Sequence, residues 1–265
     1  MPEQLRRFSH SLIDTYLDCP RKAYYRYVEG IDSPKSSALV TGSACDSAWN
    51  RALDRKIFGQ DPPTVDELKS WTEAAFRADV AEQGGKHAIE WGEGNTATAE
   101  LARALRLTEQ WATGLLPAIE PTATQVEYTR HLPSGRTFIG FIDWEGAVDG
   151  VPAIGDNKTG GRKLASSEAD KGLQPYAYAW LKHVPLTFVF ARAIDTGKTQ
   201  SSEFVWTTRS EGDIEWYDGL VAEVEGAFVS GTFPPNPKSN LCGAKWCSYF
   251  SRCQPHRAVS GPTTH

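Results

Sequence analysis

Apolar positions recur at intervals of three and four residues over the first part of the chain, which is the period of an amphipathic helix. Ser9 or Ser11 can cap the first of these helices, and Cys19-Pro20 interrupts it, because proline suits the first position of a new helix. The helical stretches at about 65–83 and about 96–116 are expected to form a covering layer with no chemistry that the sequence shows. Five helices are predicted: one that ends at Cys19-Pro20, one from Pro20 to Gly30, one that begins near Thr41, and two that cover about 65–83 and about 96–116.

From Thr124 the apolar period changes to two, which indicates β-strands. The order of helices, then strands with one helix between them, predicts one α/β (α+β) domain over residues 1–265. We expect a mainly helical part at 1–120, a sheet core at 121–210, and a helix with a cysteine-rich segment at 211–265. The elements predicted in the last two parts are strands at 125–132 and 136–148, a strand after Gly150, a helix at 173–182, strands at 186–194 and 203–207, and a helix at 214–229.

The dipeptide Asp149-Gly150 lies between apolar runs and predicts a two-residue hairpin turn, because both turn positions require positive φ. Counting outward from this turn places Asp143 directly opposite Asp156, with Lys158 on the same face two residues on. Opposed carboxylates about 5 Å apart destabilise a sheet unless a positive charge lies between them. The flanking positions are largely apolar, so these groups should lie beside a core, where a hard divalent cation would offset their repulsion.

Two carboxylates and a lysine on one face suit the hydrolysis of a phosphodiester, in which a metal polarises the phosphoryl group and a nearby cation orients water. The backbone carbonyl of Asn157 is a further oxygen ligand if the strand bends there. The sequence D-x-K occurs by chance in many proteins. It indicates an active site here because the predicted register places it beside Asp143.

Four cysteines suggest a second metal site. Cys242, Cys247 and Cys253 lie within twelve residues of a weakly periodic segment, and Cys19 lies near the start of the chain. Zinc and an iron-sulfur cluster both take four cysteines, and the spacing alone leaves that choice open. Cys45 lies on an apolar helix stripe and is predicted to be a buried thiol.

Composition and charge limit the function classes. The net charge of −5 and pI near 5.7 show that the protein surface as a whole is not basic. Any binding of nucleic acid therefore needs a local basic patch. Residues 226–265 offer one, because they contain basic side chains and no acidic ones. The start, MPEQLRRFSHSL, has no signal-peptide apolar run and no stretch is long enough to span a membrane, so we expect a cytoplasmic protein. The basic residues of that segment include Lys238, Lys245, Arg252 and Arg257.

Six segments in order resemble the PD-(D/E)XK nuclease superfamily, specifically its RecB-like iron-sulfur branch. The resemblance covers nearly the whole chain except about 55–120. That branch includes the nuclease domain of AddB helicase-nucleases, the fourth CRISPR-associated protein and many phage exonucleases. The resemblance implies a restriction-endonuclease-like core, a central mixed sheet flanked by helices. The segments are SLIDTYLDCPRKAYYRY, TGSACDSAW, GFID, GDNKTG, LQPYAY and C-x4-C-x5-C.

The resemblance also implies roles for individual residues. It assigns the metal site to the two carboxylates and the lysine, and it assigns substrate positioning to a glutamine and a tyrosine one helical turn apart. It implies that four cysteines hold a [4Fe-4S] cluster that fastens the two ends of the chain together. These residues are, respectively, Asp143, Asp156 and Lys158; Gln174 and Tyr178; and Cys19, Cys242, Cys247 and Cys253.

One position departs from the family pattern. Relatives often carry a metal-binding histidine four residues after a glycine of the helix that begins near Thr41, and Asp46 stands here. An aspartate is a hard oxygen donor suited to Mg²⁺ or Mn²⁺, so we expect Asp46 to be a third carboxylate ligand. The alternative is an ordinary polar helix residue.

The expected activity is that of a Mg²⁺- or Mn²⁺-dependent DNA exonuclease that hydrolyses phosphodiester bonds in single-stranded DNA or at DNA ends. The alternative is a non-catalytic or weakly catalytic DNA-end binding or adaptor subunit in CRISPR spacer acquisition or phage recombination, with protein partners in such a complex. A zinc-binding structural protein is a third hypothesis. None of the three involves a membrane.

Overall fold

The computed structural model of the chain describes residues 7–85, 89–92 and 94–254. Arg257 of the predicted basic segment lies outside these residues. The helices are α1 (His10–Asp18), α2 (Pro20–Ala23, continued by the π-helical turn Tyr24–Val28), α3 (Ser37–Ile57), α4 (Val65–Glu82), α5 (Ala97–Gly114), α6 (Ser166–Lys171), α7 (Leu173–Lys182), α8 (Glu211–Ser230) and α9 (Phe250–Cys253). The strands are β1 (Arg7–Phe8), β2 (Ile119–His131), β3 (Thr137–Val148), β4 (Val151–Gly160), β5 (Leu186–Asp195) and β6 (Gln200–Arg209).

The strands form one mixed six-stranded sheet. Strand β3 pairs antiparallel with β2 along most of its length and with β4 through the hairpin, and β4 then runs parallel to β5, which pairs antiparallel with β6. The short strand β1 pairs in parallel with β3 at Thr137 and Phe138, where β4 has left that edge. The mixed α/β fold is therefore confirmed, and the N-terminal helical part adds a strand to the sheet.

The predicted two-residue hairpin turn is confirmed, because Val148 pairs with Val151 and both turn residues have positive φ, 49° at Asp149 and 77° at Gly150. The pairing ends at Trp144 opposite Gly155, one position before Asp143 and Asp156. The expectation that these two carboxylates form a directly opposed ladder pair is therefore wrong. On its other edge, β4 pairs with β5 from Ile154 to Gly160.

The strands separate because the regular alternation of β3 breaks at Asp143. Ile142 packs into the core on one face of the sheet and Trp144 into the core on the other, although they are two residues apart. Opposite Asp143 on β2, Gln125 has a φ of 48°, which a non-glycine residue rarely adopts. The indole of Trp144 occupies the space beside Gly155, where a Cβ would lie 1.8 Å from its ring. The break opens a notch between β3 and β4.

Helices cover both faces of the sheet. On one face α3, α4 and α5 pack together around Trp49 and Trp111, and on the other α1, α7 and α8 pack around Phe138 and Trp180. Helix α3 begins four residues before the predicted start near Thr41, because Ser36 accepts a hydrogen bond from Leu39 N and caps it. No helix in the described part of the chain is both long and apolar enough to cross a membrane.

The pattern of apolar residues missed three features. Strand β1 has only two residues, and α6 (SSEADK) has no apolar stripe. Strand β2 begins at Ile119, before the predicted 125, because the sheet accommodates Pro121 at a shift in register. The predicted boundaries of 1–120, 121–210 and 211–265 stay a prediction.

Candidate active site

The notch between β3 and β4 holds the predicted D-x-K residues. Asp143 Oδ2 accepts a hydrogen bond of 2.8 Å from the backbone N–H of Asn157, across the point where the strands separate. Lys158 Nζ lies 2.6 Å from Asp156 Oδ2, and it donates to Oδ1 at 2.8 Å. The side chain of Asp156 is 1% exposed whereas that of Lys158 is 45% exposed. The lysine therefore lies between the Asp156 carboxylate and the solvent.

Asp46 on α3 points toward the same notch. Its Oδ2 accepts a 2.9 Å hydrogen bond from Asn50, one turn further along the helix. Burial raises the pKa of Asp46 to about 6, and the charge of Asp156 adds to this rise, whereas Lys158 and the amides of Asn50 and Asn157 oppose it. The structure thus brings the carboxylate of α3 into electrostatic contact with those of the sheet.

The proximity of these charged groups also shifts the pKa values of Asp143 and Lys158. Burial and the charges of Asp156 and Asp46 hold the pKa of Asp143 well above its usual range, although Lys158 and the Asn157 N–H act in the other direction. Burial disfavours the charge on Lys158, but Asp156, Asp143 and Asp46 outweigh it and raise the pKa of the amine. Lys158 is therefore protonated at neutral pH, and the site combines three carboxylates with one ammonium group.

Helix α7 supplies Gln174 and Tyr178. It begins at Leu173, as Pro175 in its first turn requires. Gln174 Nε2 donates to Asp156 Oδ1 and to Tyr178 Oη, the latter at 3.0 Å, and the tyrosine hydroxyl donates to the carbonyl of Phe141 on β3. Tyr178 is buried, and its hydroxyl accepts a hydrogen bond that holds the Gln174 side chain in place. The glutamine in turn fixes the orientation of Asp156.

Sequence reasoning missed His10 at the start of α1. Its ring meets the edge of Tyr178 at a centroid distance of 6.1 Å. Burial lowers the pKa of His10 to about 4, and Lys158 lowers it further while Asp156 opposes, so the imidazole is neutral at pH 7. Its only sequence signal was its place beside the cap residue Ser9, which does not indicate chemistry.

Two cavities meet at His10. One, of about 440 Å³, is lined by Lys158 and Gln174 and by the apolar Phe190. The other, of about 500 Å³, is lined by Tyr178 and by further residues of β3 and α1. His10 therefore stands between two cavities, one beside Lys158 and Gln174 and the other beside Tyr178 and β3.

The four predicted cluster cysteines come together at the other end of α1. All four thiols line one cavity, and none is in a disulfide. Burial raises the pKa of Cys253, and the proximity of the other three thiols adds to the rise, against the charge of Arg21. Cys45 lies apart, buried on α3, where burial raises the pKa of its thiol to about 12, as expected of a core thiol. The four residues are Cys19, Cys242, Cys247 and Cys253.

Hydrogen bonds hold the cysteine segment against the N-terminal helices. Asn236 Nδ2 donates to the carbonyl of Asp18 at 2.8 Å, and Ser239 Oγ donates to the carboxylate of Asp18 at 2.6 Å. The hydroxyl of Tyr249 donates to the carbonyl of Ile31 at 2.8 Å. These contacts join the two ends of the described chain around the thiols.

The two places offer different types of donor atom. Carboxylate and carbonyl oxygens are hard donors that suit Mg²⁺ or Mn²⁺, whereas thiolates suit zinc or an iron-sulfur cluster. Within residues 7–85, 89–92 and 94–254, no group of three or more His, Cys, Asp or Glu side chains already stands in ligating geometry. At the carboxylate site Lys158 and Gln174 occupy the oxygens of Asp156, so ligation requires these side chains to shift.

Comparisons with known proteins agree with this architecture. A family model described as the PD-(D/E)XK nuclease superfamily matches residues 7–254. A crystal structure of a candidate exonuclease from Eubacterium rectale covers 99% of this chain and 94% of its own, with a TM-score of 0.56 and 16% identity, a similarity that concerns the fold. The crystal structure of SSO0001 aligns over 96% of both chains at a TM-score of 0.33 and 12% identity, which is too low to carry an inference. No curated protein sequence matches the chain.

Proposed function

The chain belongs to the PD-(D/E)XK nuclease superfamily, and from that premise we propose that it is a Mg²⁺- or Mn²⁺-dependent DNA exonuclease. Nucleases of this superfamily use divalent metal ions and bind DNA. The observation that carries the proposal is the meeting of Asp46, Asp143 and Asp156 with Lys158 where β3 and β4 separate. A cluster of one buried and two half-buried carboxylates costs folding free energy, and this cost is explained if the cluster serves a cation.

The proposed metal ligands are the carboxylates of Asp46, Asp143 and Asp156 and the backbone carbonyl of Asn157. A bound metal would polarise the phosphoryl group and acidify a water molecule. Lys158 is protonated, so it orients the attacking water and offsets the charge that develops on the phosphoryl oxygens rather than removing a proton. Gln174, braced by Tyr178, keeps Asp156 in place beside the substrate.

Two observations support single-stranded DNA or DNA ends as the substrate. The two cavities that share His10 run past Lys158 and Gln174 on one side and Tyr178 on the other, and we take them as the path of an unpaired strand. The structural neighbour from Eubacterium rectale is itself described as a candidate exonuclease. Protein partners in a recombination or CRISPR adaptation complex belong to the same proposal.

We further propose that Cys19, Cys242, Cys247 and Cys253 hold a structural [4Fe-4S] cluster. Four thiols around one cavity, brought there from both ends of the chain and free of disulfides, match the donor set of such a cluster. Zinc takes the same number of thiols, and the two are separated by colour and metal content. Anaerobically purified protein is expected to absorb at about 400 nm and to contain iron, whereas colourless, zinc-loaded protein would contradict the cluster.

The nuclease proposal is tested with cluster-loaded protein, Mn²⁺ and DNA labelled at either end, single-stranded or duplex. Asp156→Asn and Lys158→Met are expected to reduce cleavage by about 10³-fold or more, because each removes a group that acts on the phosphoryl centre. Asp66→Asn, on an exposed turn of α4, is the matched control and should cleave like the wild type. Cleavage that is equal in all four proteins would show a contaminating nuclease.

An uncut substrate bound equally by the wild type and by Lys158→Met would instead support the DNA-end binding or adaptor subunit. Release of internal fragments before mononucleotides would contradict exonuclease action while leaving the metal site intact.

A further inference from the structure

Asn157, between the two motif residues Asp156 and Lys158, has a buried side chain on the opposite face of β4. Its Oδ1 accepts a hydrogen bond from the indole N–H of Trp111 on α5 and another from that of Trp144 on β3, both at 3.3 Å. An indole N–H can only donate, so these two bonds decide which end of the amide is the oxygen. The Nδ2 group must therefore point away from both indoles.

Asp46 is the carboxylate that this amide can reach. Within the described residues, Asp46 Oδ1 and Asn157 Nδ2 are both buried and neither makes a hydrogen bond. They lie close enough that the amide lowers the pKa of Asp46, and the other carboxylate oxygen is held by Asn50. A buried donor and a buried acceptor left unpaired cost about 1–3 kcal/mol each, so a small shift that joins them is favourable.

The surroundings keep this arrangement stiff. Trp49, one turn from Asp46 on α3, stacks flat on Trp111 with ring centroids 5.1 Å apart and an interplanar angle of 4°. The stack ties α3, which carries the carboxylate, to α5, which carries a donor to Asn157. Trp144 is held in turn against Gly155 of β4. Each of these tryptophans is at most 1% exposed.

We propose that Asn157 is a positioning residue that holds Asp46 toward Asp143 and Asp156, with Trp111 and Trp144 fixing the direction of its amide. An apolar residue would fill a buried strand position at lower desolvation cost, so the amide at this position is explained by what it aims at. The pair of Asn157 and Asp46 thus places a carboxylate as third oxygen donor for a hard divalent cation. This inference rests on the proposed metal site, but it concerns the affinity for the cation and needs no DNA cleavage.

The test is a double-mutant cycle read by titration of Mn²⁺ into the cluster-loaded full chain without DNA. Asn157→Leu is expected to weaken Mn²⁺ binding by about 10-fold or more, as is typical when a residue that orients a ligand is lost. In an Asp46→Asn background the same change is expected to have no further effect, because the carboxylate it orients is gone. An unchanged affinity in Asn157→Leu, or an equal loss in both backgrounds, would overturn the proposal.

A second variant keeps the test valid if Asn157→Leu does not fold. Trp111→Phe removes one of the two donors that set the amide direction and is expected to weaken Mn²⁺ binding several-fold. Val189→Ala, a deletion in the same core layer with no bond to Asn157, is the control for packing loss and should bind Mn²⁺ like the wild type. An equal loss of Mn²⁺ affinity in Trp111→Phe and Val189→Ala would mean that core packing, and not the direction of the Asn157 amide, determines the affinity, and would overturn the proposal. Because the titration contains no DNA, a protein that does not cleave still gives a decisive result.

Discussion

The residues of the notch store unfavourable electrostatic energy. Asp46 and Asp143 are half-buried beside the buried Asp156, and Lys158 supplies a positive charge. A carboxyl group whose pKa is raised by folding destabilises the native state wherever it is ionised, because ionisation is easier in the unfolded chain. The site is therefore expected to be less stable without a cation than with one.

Asp46→Asn should stabilise the metal-free protein. The pKa of Asp46 rises from 3.8 to about 6, so its cost develops as the pH rises from about 4 to about 6 and is complete above that range. Denaturant unfolding in EDTA at pH 8 is expected to show a gain of about 1–3 kcal/mol in the free energy of unfolding, which vanishes at pH 4. With saturating Mn²⁺ the order should reverse, because the proposed site has lost a ligand. Asp66→Asn is the control, and no gain in EDTA would refute the raised pKa.

At the scale of the elements, the separation of β3 from β4 makes the site. The hairpin turn sets the register, but the indole of Trp144, lying over Gly155, takes the place that a regular ladder would need. Strand β4 pairs with β5 on its other edge, and Asp143 accepts a hydrogen bond from the N–H of Asn157 that the ladder with β3 leaves open. The notch is thus built from one glycine, one tryptophan and a side chain that replaces a backbone hydrogen bond.

Gly155→Ala tests this account. A Cβ at this position would lie 1.8 Å from the indole of Trp144, so the ring must move, and its bond to Asn157 is lost. We expect a loss of about 1–3 kcal/mol in the free energy of unfolding, measured by denaturant titration.

The same chemical change in α8 provides the control. Gly219 lies in the helix interior, where an added Cβ would meet open space, so Gly219→Ala should raise stability by about 0.5–1 kcal/mol. Equal effects at the two glycines would mean that the strand separation does not depend on the contact with Trp144.

At the scale of the whole molecule, the cysteine segment links the first helices to the end of the described chain. Polar contacts from Asn236, Ser239 and Tyr249 reach α1 and the residues after α2, and the four thiols lie behind them. Helix α1 also carries His10 at its start, beside the notch. If the proposed cluster is present, it would stabilise one wall of the candidate active site from a distance.

Cys247→Ser is expected to lose the iron and to lower Tm by about 5 °C or more, because a bound cluster stabilises only the folded chain. Iron content, absorption at about 400 nm and a thermal melt measure this. Cys45→Ala removes a thiol from the core and leaves the four proposed ligands in place, so it should keep its full iron content. Loss of iron in both variants, or in neither, would contradict the assignment of ligands.

Local features of the sequence determined much of this protein. Apolar periodicity predicted α4, α5, α7 and the strands β2, β3, β5 and β6, because burial of one face follows directly from the spacing of side chains. Asp149-Gly150 predicted the turn and its register, because positive φ at two successive positions is a property of those two residues. The ordered motifs predicted the superfamily to which the chain belongs.

Only the tertiary structure decided the geometry of the notch. Counting along a regular ladder placed Asp143 directly opposite Asp156, whereas the packing of Trp144 against Gly155 and Trp111 ends the ladder one position earlier. The position of His10 and the direction of the Asn157 amide likewise depend on partners far away in sequence, Tyr178 and Trp111, that no local pattern names. Periodicity and turns follow from neighbouring residues, but the place where a sheet opens follows from side chains that meet only when the chain has folded.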